Sequence, residues 1–208
     1  WLDKYGKEHP DWFAMMPDGT RVTPEKPYPS LERAKLCVTN PELLDFIAEQ
    51  GADYLEKNPT YLSFSACPND SRGFCFCPKC KALDHPDGSP SPMNYPGQTF
   101  DYPALSDRYV WFWNELAKRL GERCPGRYIG AYAYSNYNHP PLRETLSKRV
   151  IIGYVGFNYL DAEYNKTSRQ DWEGWSKTGC KLYLRPNLLL AGHGFPLNYA
   201  RELGQDIK

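Results

Sequence analysis

The sequence predicts an α/β chain, a partial (β/α)8 TIM-barrel-like fold with parallel strands in a fragment of a longer chain. Short apolar runs of strand character alternate with helical stretches five times, a pattern that implies a parallel sheet with right-handed crossovers. No G-x-G-x-x-G or phosphate loop follows the first strand, so a doubly wound nucleotide-binding fold loses its usual support. The 208 residues can bury one core, but a complete barrel takes about 250 residues and eight strands. The expectation is therefore one (β/α)-barrel-type domain over 1–208, incomplete, with a Cys-containing and Pro/Gly-rich loop insertion at 71–103. The chain opens at Trp1 without Met or a signal peptide and stops at Lys208 inside a helical stretch, as expected of an excised middle piece.

Residues 36–39 (LCVT) make the first predicted strand, and Asn40-Pro41 then supplies an N-cap followed by Pro at the first helical position. Leu43, Leu44, Ile47, Ala48 and Leu55 recur at helical spacing up to Asn58-Pro59, where the helix stops. Residues 61–66 (YLSFSA) carry the aromatic and small apolar character of a buried strand, ended by Pro68. The Pro, Gly and Ser-rich stretch 84–103 reads as a long loop. A helix follows with Ser106 as N-cap and Tyr109, Trp113, Leu116 and Leu120 on its apolar face, stopped at Cys124-Pro125-Gly126. Then come a strand at 128–134 (YIGAYAY), a short helix at 142–148, a strand at 150–157 (VIIGYVGF), a helix at 170–178 carrying Trp172 and Trp175, and a last strand at 181–185 (KLYLR), broken by Pro186.

Composition narrows the function classes. Lys plus Arg and Asp plus Glu both total 25, with no basic block to follow a phosphate backbone, so nucleic acid is not the expected partner. No apolar stretch approaches the roughly 20 residues that a membrane-spanning helix needs. Sixteen Tyr and six Trp suit sugar rings, which present apolar C–H faces edged by hydroxyls, although most such aromatics serve a core.

The loops after the strands hold the candidate chemistry, because parallel α/β folds place their sites at strand C-terminal ends. Pro68-Asn69-Asp70 supplies a carboxylate there, and Asp70 is the catalytic candidate, its other reading being a turn cap. Asn69, Tyr134, Asn136, Asn158, Arg185 and Asn187, with His193 just beyond, would project from the same rim. Amides, phenols, an Arg and a carboxylate above aromatic floors are the donors and acceptors that a polyhydroxylated ligand requires.

Seven cysteines are present, three of them as Cys75-x-Cys77-x-x-Cys80. With Cys67 upstream and His85 downstream, they could give three thiolates and a fourth ligand to a structural zinc. The spacing supplies one CxxC pair where a zinc ribbon needs two, so local disulfides or reduced thiols packing the loop are alternatives. In each case the cluster stiffens the loop that carries Asp70, and no cofactor is expected in catalysis itself.

The stretches 9–21 (HPDWFAMMPDGTR), 36–46 (LCVTNPELLDF), 65–84 (SACPNDSRGFCFCPKCKALD) and 106–120 (SDRYVWFWNELAKRL) together resemble the bacterial domain of unknown function 4838 family, which includes glycoside hydrolase family 163. The Pro-Asn-Asp followed by the Cys-x-Cys-x-x-Cys loop is the specific part. The resemblance implies a TIM-barrel-like, extracytoplasmic glycosidase whose substrate is a glycan, endo-acting on N-acetylglucosamine linkages of complex N-glycans by a retaining, substrate-assisted route. In that route the substrate's 2-acetamido oxygen attacks the anomeric carbon. The enzyme supplies one carboxylic acid to the leaving oxygen and a second carboxylate to orient the acetamide. Asp70 can fill one role; Asp161 and Glu163 are the nearest alternatives for the other, and solvated loop charges are the reading that their positions favour. A barrel-derived module that binds glycan without cleaving it is the alternative from a different class.

Overall fold

The computed structural model describes residues 1–159, 161–185, 187 and 200–206. Along the chain run α1 (Leu2–Tyr5), α2 (Pro41–Lys57), β1 (Ser63–Ser65), α3 (Pro78–Ala82), β2 (Pro90–Tyr95), β3 (Gln98–Pro103), α4 (Ser106–Arg123), β4 (Tyr128–Ala133), β5 (Val150–Tyr154), α5 (Ala162–Lys177), β6 (Lys181–Leu184) and α6 (Ala200–Asp206). β1, β4, β5 and β6 pair in that order as a four-stranded parallel sheet, and β2 and β3 form a separate antiparallel hairpin.

The strand order follows the chain without reversal, and the two faces of the sheet differ. Phe64, Ile129, Ala131, Ala133, Ile152 and Tyr154 point to the helical side. There Gly51 of α2 approaches Phe64 so closely that an added Cβ would lie 2.8 Å from the ring, and Trp113 of α4 donates its indole N–H to the Ala66 carbonyl at 3.2 Å. Tyr154 reaches α5 through Asp171 (3.4 Å). The opposite face carries Ser63, Ser65, Tyr128, Tyr132, Gly153, Lys181 and Tyr183, with Lys181 over the Tyr128 ring (5.1 Å) and Tyr183 still 43% exposed. Burial of one face against α2, α4 and α5 supplies the core, at roughly 25 cal/mol per Å² of apolar area removed from water.

Helix α2 starts as the sequence predicts, with the Asn40 side chain accepting from the Leu43 N–H at 2.9 Å and Pro41 at the first position. α4 begins one residue earlier relative to its cap than expected: Leu105 is the N-cap and Ser106 the first helical residue. Its hydroxyl instead donates to the His139 carbonyl at 2.5 Å.

Four expectations need correction. Residues 36–39 do not join the sheet. Leu36 makes an isolated antiparallel bridge to Phe13, with Cys37 N–H on the Trp12 carbonyl (2.7 Å) and Ala14 N–H on the Lys35 carbonyl (3.0 Å). Residues 142–148 form no helix. The buried Asp107 carboxylate, in the first turn of α4, accepts from the backbone N–H groups of Leu142 (3.1 Å), Arg143 (2.8 Å) and Glu144 (2.7 Å). Those donors are thereby held in a non-helical crossover between β4 and β5, where the side-chain acceptor competes with helical geometry. Within 84–103, the stretch read as loop holds the β2–β3 hairpin. Helix α5 also starts at Ala162, eight residues before the predicted 170, because Asp161 caps it through the Tyr164 N–H (2.9 Å).

Candidate functional site

Because the four strands are parallel, the loops that leave them share one edge of the sheet. The loop after β1 meets the loop after β4 and the hairpin there. Asp70, Arg72 and Phe74 from the first, Asn136 from the second and Ser91 and Asn94 from β2 line a cavity of ≈ 440 Å³. Two backbone positions in this wall lie in the left-handed region, Gly73 (φ 91°) and Ser135 (φ 52°). At Gly73 glycine is required twice over, since a Cβ would also lie 2.7 Å from the Tyr28 ring. A non-glycine residue such as Ser135 persists there only where its surroundings over-determine it.

The Asp70 loop is anchored from below. Lys35, 3% exposed, donates its ammonium to the Asn69 carbonyl and lies 4.5 Å above the Phe74 ring. Burial lowers the Lys35 pKa to about 8, and the nearby Asp70 charge pulls it back up. Asn69 donates its amide to the Ala34 carbonyl (3.2 Å), and Ser71 donates to the Arg33 carbonyl (2.7 Å). Asp70 is exposed over the cavity, and among the described residues its carboxylate makes no hydrogen bond. Its charge also reaches the buried Tyr137, whose pKa is raised chiefly by burial and further by Cys67, Tyr134 and Asp70.

The predicted rim residues divide into two groups. Asn136 lines the Asp70 cavity, and its amide donates to Ser91 Oγ (2.6 Å) and the Pro92 carbonyl (3.0 Å), so it fixes the hairpin over the site. Asn69 likewise ties the loop to the scaffold. Arg185 lies apart, its guanidinium 5.0 Å over the Tyr132 ring and its Nη1 donating to Asn187 Oδ1 at 2.5 Å. Cys67 lies within the field of Arg185; burial raises its pKa and the guanidinium opposes this. Tyr134 is half-buried against the core. Asn158 donates its backbone N–H to Asn165 Oδ1 (2.7 Å), beside Phe157, which holds φ 68°. His193 lies outside the described residues. Neither Asp161, occupied as a helix cap, nor Glu163, paired with Lys166 at 3.5 Å, lines the cavity, and Asp70 is its one carboxylate among the described residues.

The cysteine loop closes on a partner that its local spacing does not reveal. Cys75, Cys77 and Cys80 come together with Cys37, all four buried, their Sγ atoms within 4.8 Å of one another. Among the described residues, the fourth thiol is thus Cys37 rather than Cys67 or a ligand from His85, whose Nδ1 accepts from the Asp87 N–H at 3.2 Å. This cluster could hold a metal ion. No cysteine of the chain is in a disulfide. Mutual contact among the four thiols lowers the pKa values of Cys37 and Cys77 and raises those of Cys75 and Cys80.

Arg108, 1% exposed, connects this cluster to the hairpin. It grips Asp84 through Nε to Oδ1 (2.8 Å) and Nη2 to Oδ2 (2.5 Å), and its Nη1 donates to the Cys75 carbonyl (2.8 Å). Asp84 also accepts from the Tyr102 hydroxyl of β3 (2.8 Å). Lys35, Cys37 and Arg108 were not singled out by sequence reasoning. A Lys within an otherwise apolar run, Ala34 to Val38, and an Arg on a helical face rich in aromatics were the available signals.

Compared with known proteins, the chain matches the family model described as Domain of unknown function (DUF4838) over residues 1–208. No curated protein and no solved structure matches it.

Proposed function

The chain belongs to the DUF4838 family, and from that premise we propose that it is a glycoside hydrolase acting on N-acetylglucosamine-containing or related glycans. The observation that carries the reading is the Asp70 cavity at the C-terminal edge of a parallel sheet whose strands follow chain order. Sites of (β/α)8 barrels lie on that edge. The helices cover one face of the sheet, whereas the other presents Ser, Tyr and Lys side chains and stays partly open. Parallel sheets are normally covered on both faces. The two facts together support an arc of a TIM barrel, with Tyr132 and Tyr183 on the face that would line its interior.

In this reading Asp70 takes one of the two carboxyl roles of a retaining, substrate-assisted reaction, and the substrate's acetamide supplies the nucleophile. Arg72 and Asn94 offer hydrogen-bonding groups beside it, and Phe74 an apolar surface for a sugar face. Arg185 and Asn187 stand in a second polar group, two strands further from Asp70 than Asn136. A glycan partner of this kind places the protein outside the cytoplasm. The cysteine cluster acts as a structural zinc position, and the chemistry needs no cofactor.

A second reading has its own support: Asp70 stands without another carboxylate in the cavity among the described residues, which favours a barrel-derived module that binds glycan without cleaving it. Incubation of the chain with a complex N-glycan, followed by mass spectrometry and a binding isotherm, separates the two. Release of a shortened glycan supports hydrolysis. Binding without release supports the module, and neither binding nor release removes both.

A further inference from the structure

We infer that Cys37, Cys75, Cys77 and Cys80 form one tetrathiolate zinc centre that clamps the turn before α2 to the loop carrying the Asp70 cavity. The inference names the full ligand set and its mechanical role; it rests on the four thiols and stands whether or not the chain acts on glycans.

The separations fit a single ion. A zinc–sulfur bond of about 2.3 Å in tetrahedral geometry spaces the sulfurs about 3.8 Å apart. Cys37 Sγ lies 3.6 Å from Cys77 Sγ and 4.0 Å from Cys80 Sγ, with the whole set inside 4.8 Å. That span accommodates one ion and is too small for a multi-iron cluster between the four sulfurs. Tetrahedral S4 sites take zinc or iron, and zinc, with no redox chemistry, suits a centre that lies away from the cavity and joins structural segments.

The surroundings supply what thiolates need. The Met15 N–H donates to Cys75 Sγ (3.3 Å), the Cys80 N–H donates to Cys77 Sγ (3.4 Å), and the Thr39 hydroxyl lies 3.3 Å from Cys80 Sγ. Outer hydrogen bonds of this kind orient metal ligands. Four thiolates around a divalent ion leave a net negative charge. The buried Arg108 guanidinium, bonded to the Cys75 carbonyl, lies close enough to Cys80 for the two to interact electrostatically. An ion also has a way in: a cavity of ≈ 570 Å³ is lined by Cys37, Thr39 and Cys77, with Asp11 and Lys79 at its sides.

The mechanical role follows from chain position. Cys37 stands three residues before Asn40, the cap of α2, while Cys75 follows Asp70 and Phe74 in the cavity wall. An ion held by both segments fixes the cavity wall against α2, and four buried thiols without it have no comparable cross-link.

The test is metal analysis of the purified chain, with cobalt(II) as a spectroscopic probe after removal of the native metal. The expected result is one zinc per chain, intense thiolate-to-cobalt charge-transfer bands with the visible bands of tetrahedral cobalt, and four additional thiols reactive toward Ellman's reagent after chelation. Cys37→Ser is expected to lose at least 10-fold in cobalt affinity, and Cys67→Ser to bind as the parent does. If Cys37→Ser does not fold, the cobalt spectrum and thiol count of the parent chain still decide. A metal-free chain that gives no charge-transfer bands with cobalt, iron as the sole bound metal, or unchanged binding in Cys37→Ser overturns the centre. Glycan release is read separately, so a failure of either proposal is identified by its own assay.

Discussion

Arg108 and Asp84 form a buried, two-pronged ion pair, Nε to Oδ1 at 2.8 Å with side chains 1% and 4% exposed, and the third arm of the guanidinium holds the Cys75 carbonyl. Through it α4, the cysteine loop and the hairpin strand β3 meet at one point. Removing one partner of a buried pair leaves an uncompensated charge, which costs about 3 to 5 kcal/mol. Asp84→Ala is therefore expected to destabilise the chain by about that amount in chemical denaturation, whereas Asp101→Ala, on the exposed side of β3, should shift the midpoint little.

Asp107 sets the crossover between β4 and β5 in the same way that a cap sets a helix. Its carboxylate satisfies three consecutive backbone donors. Asp107→Ala leaves them without that acceptor and is expected to cost about 2 to 4 kcal/mol by urea unfolding. Asp107→Asn keeps one acceptor oxygen and should cost less. A loss below about 0.5 kcal/mol for the alanine variant would mean that water replaces the carboxylate fully.

The contrast between α2 and the 142–148 stretch explains what could be read from the chain. Asn40-Pro41 is a local signal acting on its own helix, and it works as written, through the Leu43 N–H. Residues 142–148 carry helical apolar spacing, yet their fate is decided by Asp107, 35 positions away from Leu142. Cys37 escapes for the same reason, lying 40 positions before Cys77. The hairpin was within reach: Met93, Tyr95, Phe100 and Tyr102 alternate around Pro96-Gly97, and Gly97 adopts φ 76°, a turn conformation that glycine permits. The high Pro content around it hid the alternation. Asp70 and Asn136 converge as the strand-end argument anticipates; Arg185 and Asn187 stand elsewhere on the edge because β5 separates β4 from β6.

Lys35 makes stability depend on pH. Its folded pKa of about 8 lies below the unfolded value of about 10.4, so between those values the unfolded chain binds more protons. Stability therefore rises with pH across this window, by up to about 3 kcal/mol, and the cost of burying the charge is fully present below pH about 8. Tyrosines with raised pKa values, such as Tyr137 and Tyr154, act in the opposite direction above pH about 10. Comparing the parent with Lys35→Met isolates the lysine, since the tyrosines are common to both. The stability difference between them should move in the parent's favour from pH 8 to 10; a constant difference would mean that the ammonium is not desolvated.

Turnover of a complex N-glycan by Asp70→Asn, measured beside the parent chain, tests the proposed site most directly. The substitution keeps size and removes the charge, at a residue whose carboxylate makes no hydrogen bond among the described residues. The expected result is a fall in glycan release of about 100-fold or more, with glycan affinity preserved and the chain still folded. Release by Asp70→Asn at the parent's rate would contradict the account, because the cavity between Asp70 and Asn136 would then not be where the chemistry occurs.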